Sequence, residues 1–166
     1  GLGIFFGLSL FHFCSEVLNT APTLILASPN FVKKVVFPLD VLPVAAVGAA
    51  AFHLSISLTL ALLGLAFFGH GLSTGVLWIP VVVAPLVLFA LGVSWTVSAL
   101  GVFFRDITQI TQFLTAVLMF ASAVFYSAEK IASQAPVAWQ FLRFNPLLLA
   151  IEAVRDGVLW DRTPNL

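Results

Sequence analysis

Val76-Leu-Trp-Ile-Pro-Val-Val-Val-Ala-Pro-Leu-Val-Leu-Phe-Ala-Leu-Gly-Val-Ser-Trp-Thr-Val-Ser-Ala-Leu-Gly-Val-Phe-Phe104 contains no acidic or basic side chain. A helix rises 1.5 Å per residue, so about 20 apolar residues cross the roughly 30 Å hydrocarbon core of a bilayer. This stretch exceeds that length and stops at Arg105-Asp106. A charge at the bilayer centre costs about 2.5–3.5 kcal/mol on insertion scales. The stretch therefore reads as a membrane span, and Arg105 and Asp106 as its boundary.

The same alternation continues outward. The chain has 166 residues, of which 61% are hydrophobic and 8% charged, with no net charge; its mean hydropathy is +1.12. The charges come in clumps: Lys33, Lys34 and Asp40; Arg105 and Asp106; Glu129 and Lys130; and Arg143 to Arg162. Between them lie three further spans: Gly1 to about Asn19, about Val41 to Phe68, and about Ile107 to Tyr126. Gly69, Gly71 and Gly75 mark a short turn between the second and third spans. Pro80 and Pro85 within the third span free backbone carbonyls, so packed neighbours are expected there.

Beyond Tyr126 the pattern changes. Pro136–Trp160 is too short and too charged for another pair of crossings. Asn145-Pro146 opens a helix, with Asn as N-cap and Pro at the first helical position. Glu152, Arg155 and Asp156 then share one helical face. Two short helices are expected, either dipping into one membrane face or lying along it. The expected fold is an all-α integral membrane bundle: four spanning helices plus two short re-entrant or interfacial ones.

Several classes are excluded. A neutral chain carries no electrostatic footprint for nucleic acid. Its single cysteine, Cys14, allows neither an internal disulfide nor a multi-cysteine zinc site. No GxxxxGK[ST], HExxH or GxSxG sequence occurs, so no catalytic residue is assigned. Topology is not settled by charge: Lys33, Lys34 and Arg105 share one side and Lys130, Arg143, Arg155 and Arg162 the other, three against four.

Polar residues within the spans form three constellations. His12 and Glu16 share a face of the first span, as a proton or cation site or as a hydrogen-bonded pair. Ala45, Ala49, His53, Ser57 and Ala61 repeat every four residues on the second, a stripe expected to pack against another helix; Ala90, Ser94 and Ser98 make a similar one on the third. Thr108, Thr111, Gln112, Thr115 and Ser122 follow helical spacing on the fourth, either lining a path for a polar substrate or hydrogen-bonding between helices.

Three segments carry a family resemblance. Asn30-Phe-Val-Lys-Lys-Val-Val-Phe-Pro-Leu-Asp-Val-Leu-Pro43, Val102-Phe-Phe-Arg-Asp-Ile107, and Asn145-Pro-Leu together with Ile151-Glu-Ala-Val-Arg-Asp156 resemble, in order and spacing, ABC-2 type permeases that export O-antigen, capsule or teichoic acid. The resemblance covers nearly the whole chain, read as one transmembrane domain over 1–166 without the first and last of six spans. It departs at Gly101, where the family often has Asn, at Val154, where it often has Tyr, and at Ala123–Ser127, where a Pro-flanked sequence is usual.

The resemblance implies that Asn30, Phe31, Lys33, Lys34, Phe37 and Pro38 form a cytoplasmic coupling segment docked on a separate ATP-binding subunit. A basic anchor at membrane lipid is the alternative. Arg105 and Asp106 would mark the cytoplasmic boundary. Asn145, Pro146, Glu152, Arg155 and Asp156 would belong to a gate at the outer exit. Two permease copies would enclose the conduit for a lipid-linked polysaccharide in a bacterial cytoplasmic membrane. No cofactor is expected in this chain, ATP and Mg binding to the partner. Export of a drug or lipid, or a membrane enzyme or scaffold, are the alternatives.

Overall fold

The computed structural model describes residues 2–27, 38–68, 74–122, 130, 133–134 and 136–159, and all regular structure among them is helical. Helix α1 covers Leu2–Thr20 and runs into a 3-10 turn, Ala21–Thr23, with Pro22 in it. Helix α2 covers Val41–Phe67. A second 3-10 turn, Thr74–Trp78, leads into α3, Ile79–Phe103. Helix α4 covers Ile107–Ala121, α5 Pro136–Leu142 and α6 Pro146–Leu159.

Three helical segments, Gly3–Thr23, Val41–Phe67 and Val76–Phe103, are long and apolar enough to cross a membrane. The fourth expected span is shorter as described. Ile107–Ala121 has 15 residues, about 22 Å at 1.5 Å each, which falls short of the roughly 30 Å core. The rest of its expected range, to Tyr126, lies outside the described residues; three long spans and this shorter apolar helix agree with the expected all-α membrane bundle.

Helix α1 is the hub, packing on α2, α3, α4 and α6. Phe6, Leu10, Phe13 and Val17 are buried at helical spacing along it. They form one cluster with Val47, Ala50, Leu54 and Leu58 of α2, Val82, Leu86 and Ala90 of α3, and Leu147, Ile151 and Val154 of α6. Large apolar side chains elsewhere are exposed, including Phe52, Leu60, Leu88 and Phe113. Lipid suits such a surface as well as a protein core does, because a tail is as apolar as Leu.

Among the described residues, the small-residue stripe on α2 is mostly uncovered. Ala45, Ala49 and His53 are exposed, Ser57 is half-buried, and only Ala61 is buried. The packed face is instead Val47, Ala50, Leu54, Leu58, Ala61 and Leu65. On α3 the stripe does pack: Ala90, Ser94 and Ser98 are buried and Gly101 continues it. The Ser94 and Ser98 hydroxyls have no hydrogen-bond partner among the described residues. At Gly101, an added Cβ would lie 2.9 Å from the Pro22 Cα, so only glycine lets the 3-10 turn reach α3 there.

That contact fixes the ends of the bundle. The C-terminal ends of α1 and α3 lie together, next to Arg105 and Asp106. Helix α2 starts toward the same end, where the Trp95 indole Nε1 donates to the Asp40 carbonyl at 3.1 Å. Gly3 and the Thr74–Trp78 turn occupy the opposite end. Asp40 and Asp106 are the residues before α2 and α4, and neither makes a side-chain cap bond. Their charge still favours the positive N-terminal ends of those helices.

Candidate functional site

Helix α6 starts deep in the bundle and ends at its rim. Asn145, Pro146 and Leu147 line a cavity of about 270 Å³ with Cys14 and Val17 of α1, Ala90 and Val93 of α3, and Leu114 and Leu118 of α4. Ala90 lies about 16 Å along α3 from Ile79, at 1.5 Å per residue, or half the membrane core. At the other end of α6, Arg155 Nε donates to the Gly3 carbonyl at 3.0 Å, and α6 packs on the Thr74–Trp78 turn. Helix α6 therefore runs from mid-depth to the end opposite Arg105, preceded through a turn at residues 143–145 by α5, whose Val137 and Phe141 are exposed.

Asn145 holds the turn. Its Oδ1 accepts the Leu147 N–H at 3.0 Å, capping α6. Its Nδ2 donates to Ser122 Oγ, at the end of α4, at 3.3 Å. The cap is readable from Asn145-Pro146; the bond to Ser122 joins residues distant in sequence. A second cavity, about 330 Å³, lies between Val81, Pro85 and Leu86 of α3 and Pro146, Leu149 and Ala150 of α6. The neighbour expected around Pro85 is thus α6.

The shared face of α6 has defined partners. Arg155 Nη1 lies 3.6 Å from Glu152 Oε1. Burial lowers the Arg155 pKa and the Glu152 carboxylate raises it again. Glu152 and Asp156 are half-buried. Arg155 thereby ties the rim of α6 to the first turn of α1.

The polar stripe on α4 divides. Thr111 is buried and its Oγ1 donates to the Thr108 carbonyl at 2.9 Å. Thr115 donates to the Thr111 carbonyl at 2.8 Å. Ser122 is buried, while Gln112 is exposed and Thr108 half-buried. The hydroxyl protons of Thr111 and Thr115 go to the helix's own backbone, and Ser122 Oγ accepts from Asn145.

The carboxylate of Glu16 meets a different histidine from the one its spacing indicated. His53 Nδ1 lies 3.0 and 3.2 Å from its two oxygens, joining α1 to α2, while His12 is exposed. Of the coupling residues, Asn30, Phe31, Lys33, Lys34 and Phe37 lie outside the described residues. Pro38 is exposed, and its carbonyl accepts the Val41 N–H at 3.2 Å. Arg105 and Asp106 are exposed in the turn between α3 and α4. Trp95, not singled out from the sequence, carries the tie to Asp40.

A polytopic helical membrane domain with a short helix, α6, reaching from mid-depth to one end of the bundle is the class that this geometry defines. The family model of the ABC-2 type transporter matches residues 1–159, and the chain belongs to that family of membrane transport permeases. Two proteins of Klebsiella pneumoniae, both named O-antigen export system permease protein RfbA, are 28% identical to it. One aligns over 145 residues, 87% of this chain and 54% of its own. The other aligns over 152 residues, 89% of this chain and 57% of its own. A Myxococcus xanthus protein of the same name is 30% identical over 137 residues, 82% of this chain and 52% of its own. The chain spans about half the length of these relatives.

Proposed function

We propose that this chain is the membrane domain of an exporter that moves a lipid-linked polysaccharide out across the bacterial cytoplasmic membrane. The observation that carries the reading is the similarity to O-antigen export permeases over more than four-fifths of the chain. Helix α6 supports it, since its start is held at mid-depth by Asn145 and its far end at the rim by Arg155, two points at which a gate can open. In this reading Arg105 and Asp106 face the cytoplasm and the gate, with Asn145, Pro146, Glu152, Arg155 and Asp156, faces outward.

A separate ATP-binding subunit supplies the energy, binding ATP and Mg itself. Asn30, Phe31, Lys33, Lys34, Phe37 and Pro38 couple it to the spans, and a second copy of the permease completes the conduit. On α4 the exposed Gln112 and the partly open Thr108 and Thr115 border that conduit, while Thr111 and Ser122 brace the helix behind them. The test is complementation. The gene encoding this chain, expressed with its ATP-binding partner in cells lacking an O-antigen export permease, is expected to restore surface polysaccharide. Polysaccharide retained inside, with both proteins in the membrane and their native substrate supplied, overturns the reading.

A further inference from the structure

The polar groups that the gate and the coupling segment leave unused gather where α1 meets α2. Glu16 and His53 pair there with 58% of the His53 side chain and 28% of the Glu16 side chain exposed. His12 stands one turn from Glu16 on the same face of α1 and is exposed; Asn19 is exposed on the other side and donates to Ser15 Oγ at 3.2 Å. On α2 the exposed Ala45 and Ala49 lead up to His53, leaving the pair uncrowded. All of these residues lie within segments long and apolar enough to span a membrane.

Three surroundings can cover such a seam. Lipid is unfavourable, since ionisable groups inside a bilayer face protein or water. A dry contact with another helix must satisfy His53 Nε2, the remaining carboxylate lone pairs and both ring nitrogens of His12, each costing about 1–3 kcal/mol if left unmade. Water and hydroxyl-rich ligands meet every need, because a hydroxyl both donates to a carboxylate and accepts from an imidazole or amide N–H. On α4, by contrast, the hydroxyls of Thr111 and Thr115 donate to their own backbone.

We infer that the α1–α2 seam carrying His12, Glu16, Asn19 and His53 faces an aqueous path and binds hydroxyl groups of a passing sugar chain. The carbohydrate part rests on the export reading above. It moves the principal polar wall from α4 to the junction of two helices distant in sequence.

The test uses the full gene product with its ATP-binding partner, in exporting cells, with Cys14→Ala as background. His53→Cys and Asn19→Cys are expected to react with a charged, membrane-impermeant methanethiosulfonate. Export in progress slows that reaction, and the modification abolishes export. Leu88→Cys, on an exposed apolar face of α3, stays unmodified and exports normally. Reaction at positions 19 and 53 with a lipid-soluble maleimide only, or a disulfide joining two copies of the His53→Cys variant at that position, overturns the aqueous seam. Modification that leaves export unchanged overturns the carbohydrate contact. If the Cys14→Ala parent, with His53 and Asn19 intact, exports no polysaccharide while both cysteine positions react, the export reading fails and takes the carbohydrate contact with it, but the aqueous seam stands.

Discussion

Single side chains set the two ends of α6. Asn145 performs two tasks with two atoms, and substitutions separate them. Asn145→Asp keeps an N-cap acceptor but loses the amide that donates to Ser122. Asn145→Ala loses both. The expected order of thermal stability in detergent is wild type, then Asn145→Asp, then Asn145→Ala, with the lost cap alone worth about 1 kcal/mol; equal melting of wild type and Asn145→Asp would separate Ser122 from the anchor. Gly101 is the sharpest steric constraint. Gly101→Ala brings a Cβ to 2.9 Å from the Pro22 Cα, and overpacking of this kind costs about 1–3 kcal/mol. Asn, larger than Ala, has still less room against this turn. The expected result is lower folded yield for both substitutions, with Gly101→Asn the worse; normal yield of Gly101→Asn would show that the turn moves freely.

At the scale of elements, the face of a helix decides its neighbours. Spacing alone put Ala45, Ala49 and His53 of α2 against another helix, because small residues every fourth position are the common signature of close backbone approach. Here the larger Val47, Leu54, Leu58 and Leu65 make the contact. Both stripes have helical period, so the period does not choose between them; the facing surface of α1 does. The consequence is measurable. Leu54→Ala empties a buried site and is expected to destabilise by about 2–5 kcal/mol. Ala49→Leu adds bulk to an open face and is expected to change stability little. The reverse order, read by thermal unfolding of the purified protein, would restore the small-residue face as the contact. The pair Glu16–His53 follows from the same choice: once Leu54 packs inward, His53 stands at the edge of the seam, within 3.0 Å of Glu16.

For the whole molecule, the two ends of the bundle carry different machinery. The Gly101–Pro22 contact and the Trp95–Asp40 bond hold one end. The Arg155–Gly3 bond and the Thr74–Trp78 turn hold the other. Ala27 belongs to the first end and is exposed; Ser133, just before α5, is exposed as well, and the proposed topology puts it outside. In a Cys14→Ala background, Ala27→Cys and Ser133→Cys are expected to label from opposite sides of the membrane in intact cells and inverted vesicles. Labelling of both from one side would refute the assigned topology. Arg155→Ala probes the rim. A hydrogen bond from a charged donor is worth about 1.5–3 kcal/mol, so its loss is expected to loosen α6 from α1, measured as faster amide exchange over 151–157. Unchanged exchange would place the rim contact elsewhere.

The membrane class, the long spans, the short helix pair and the Asn145 cap were all legible in the sequence. Each depends on local chemistry: run length against bilayer thickness, the cost of charge in hydrocarbon, and a side chain that bonds its own backbone. The three motif segments likewise pointed to the family to which the chain belongs. What the tertiary structure alone decided was which groups meet. Glu16 took His53 in place of His12, Ser122 became the anchor of Asn145, Arg155 found the carbonyl of Gly3, and Gly101 proved to be a contact with Pro22. Helical periodicity defines faces but not the partners that cover them. In a chain whose helices are apolar all round, hydrophobicity does not choose among those faces. Shape and the few polar groups make the choice, and both act only after the helices are brought together.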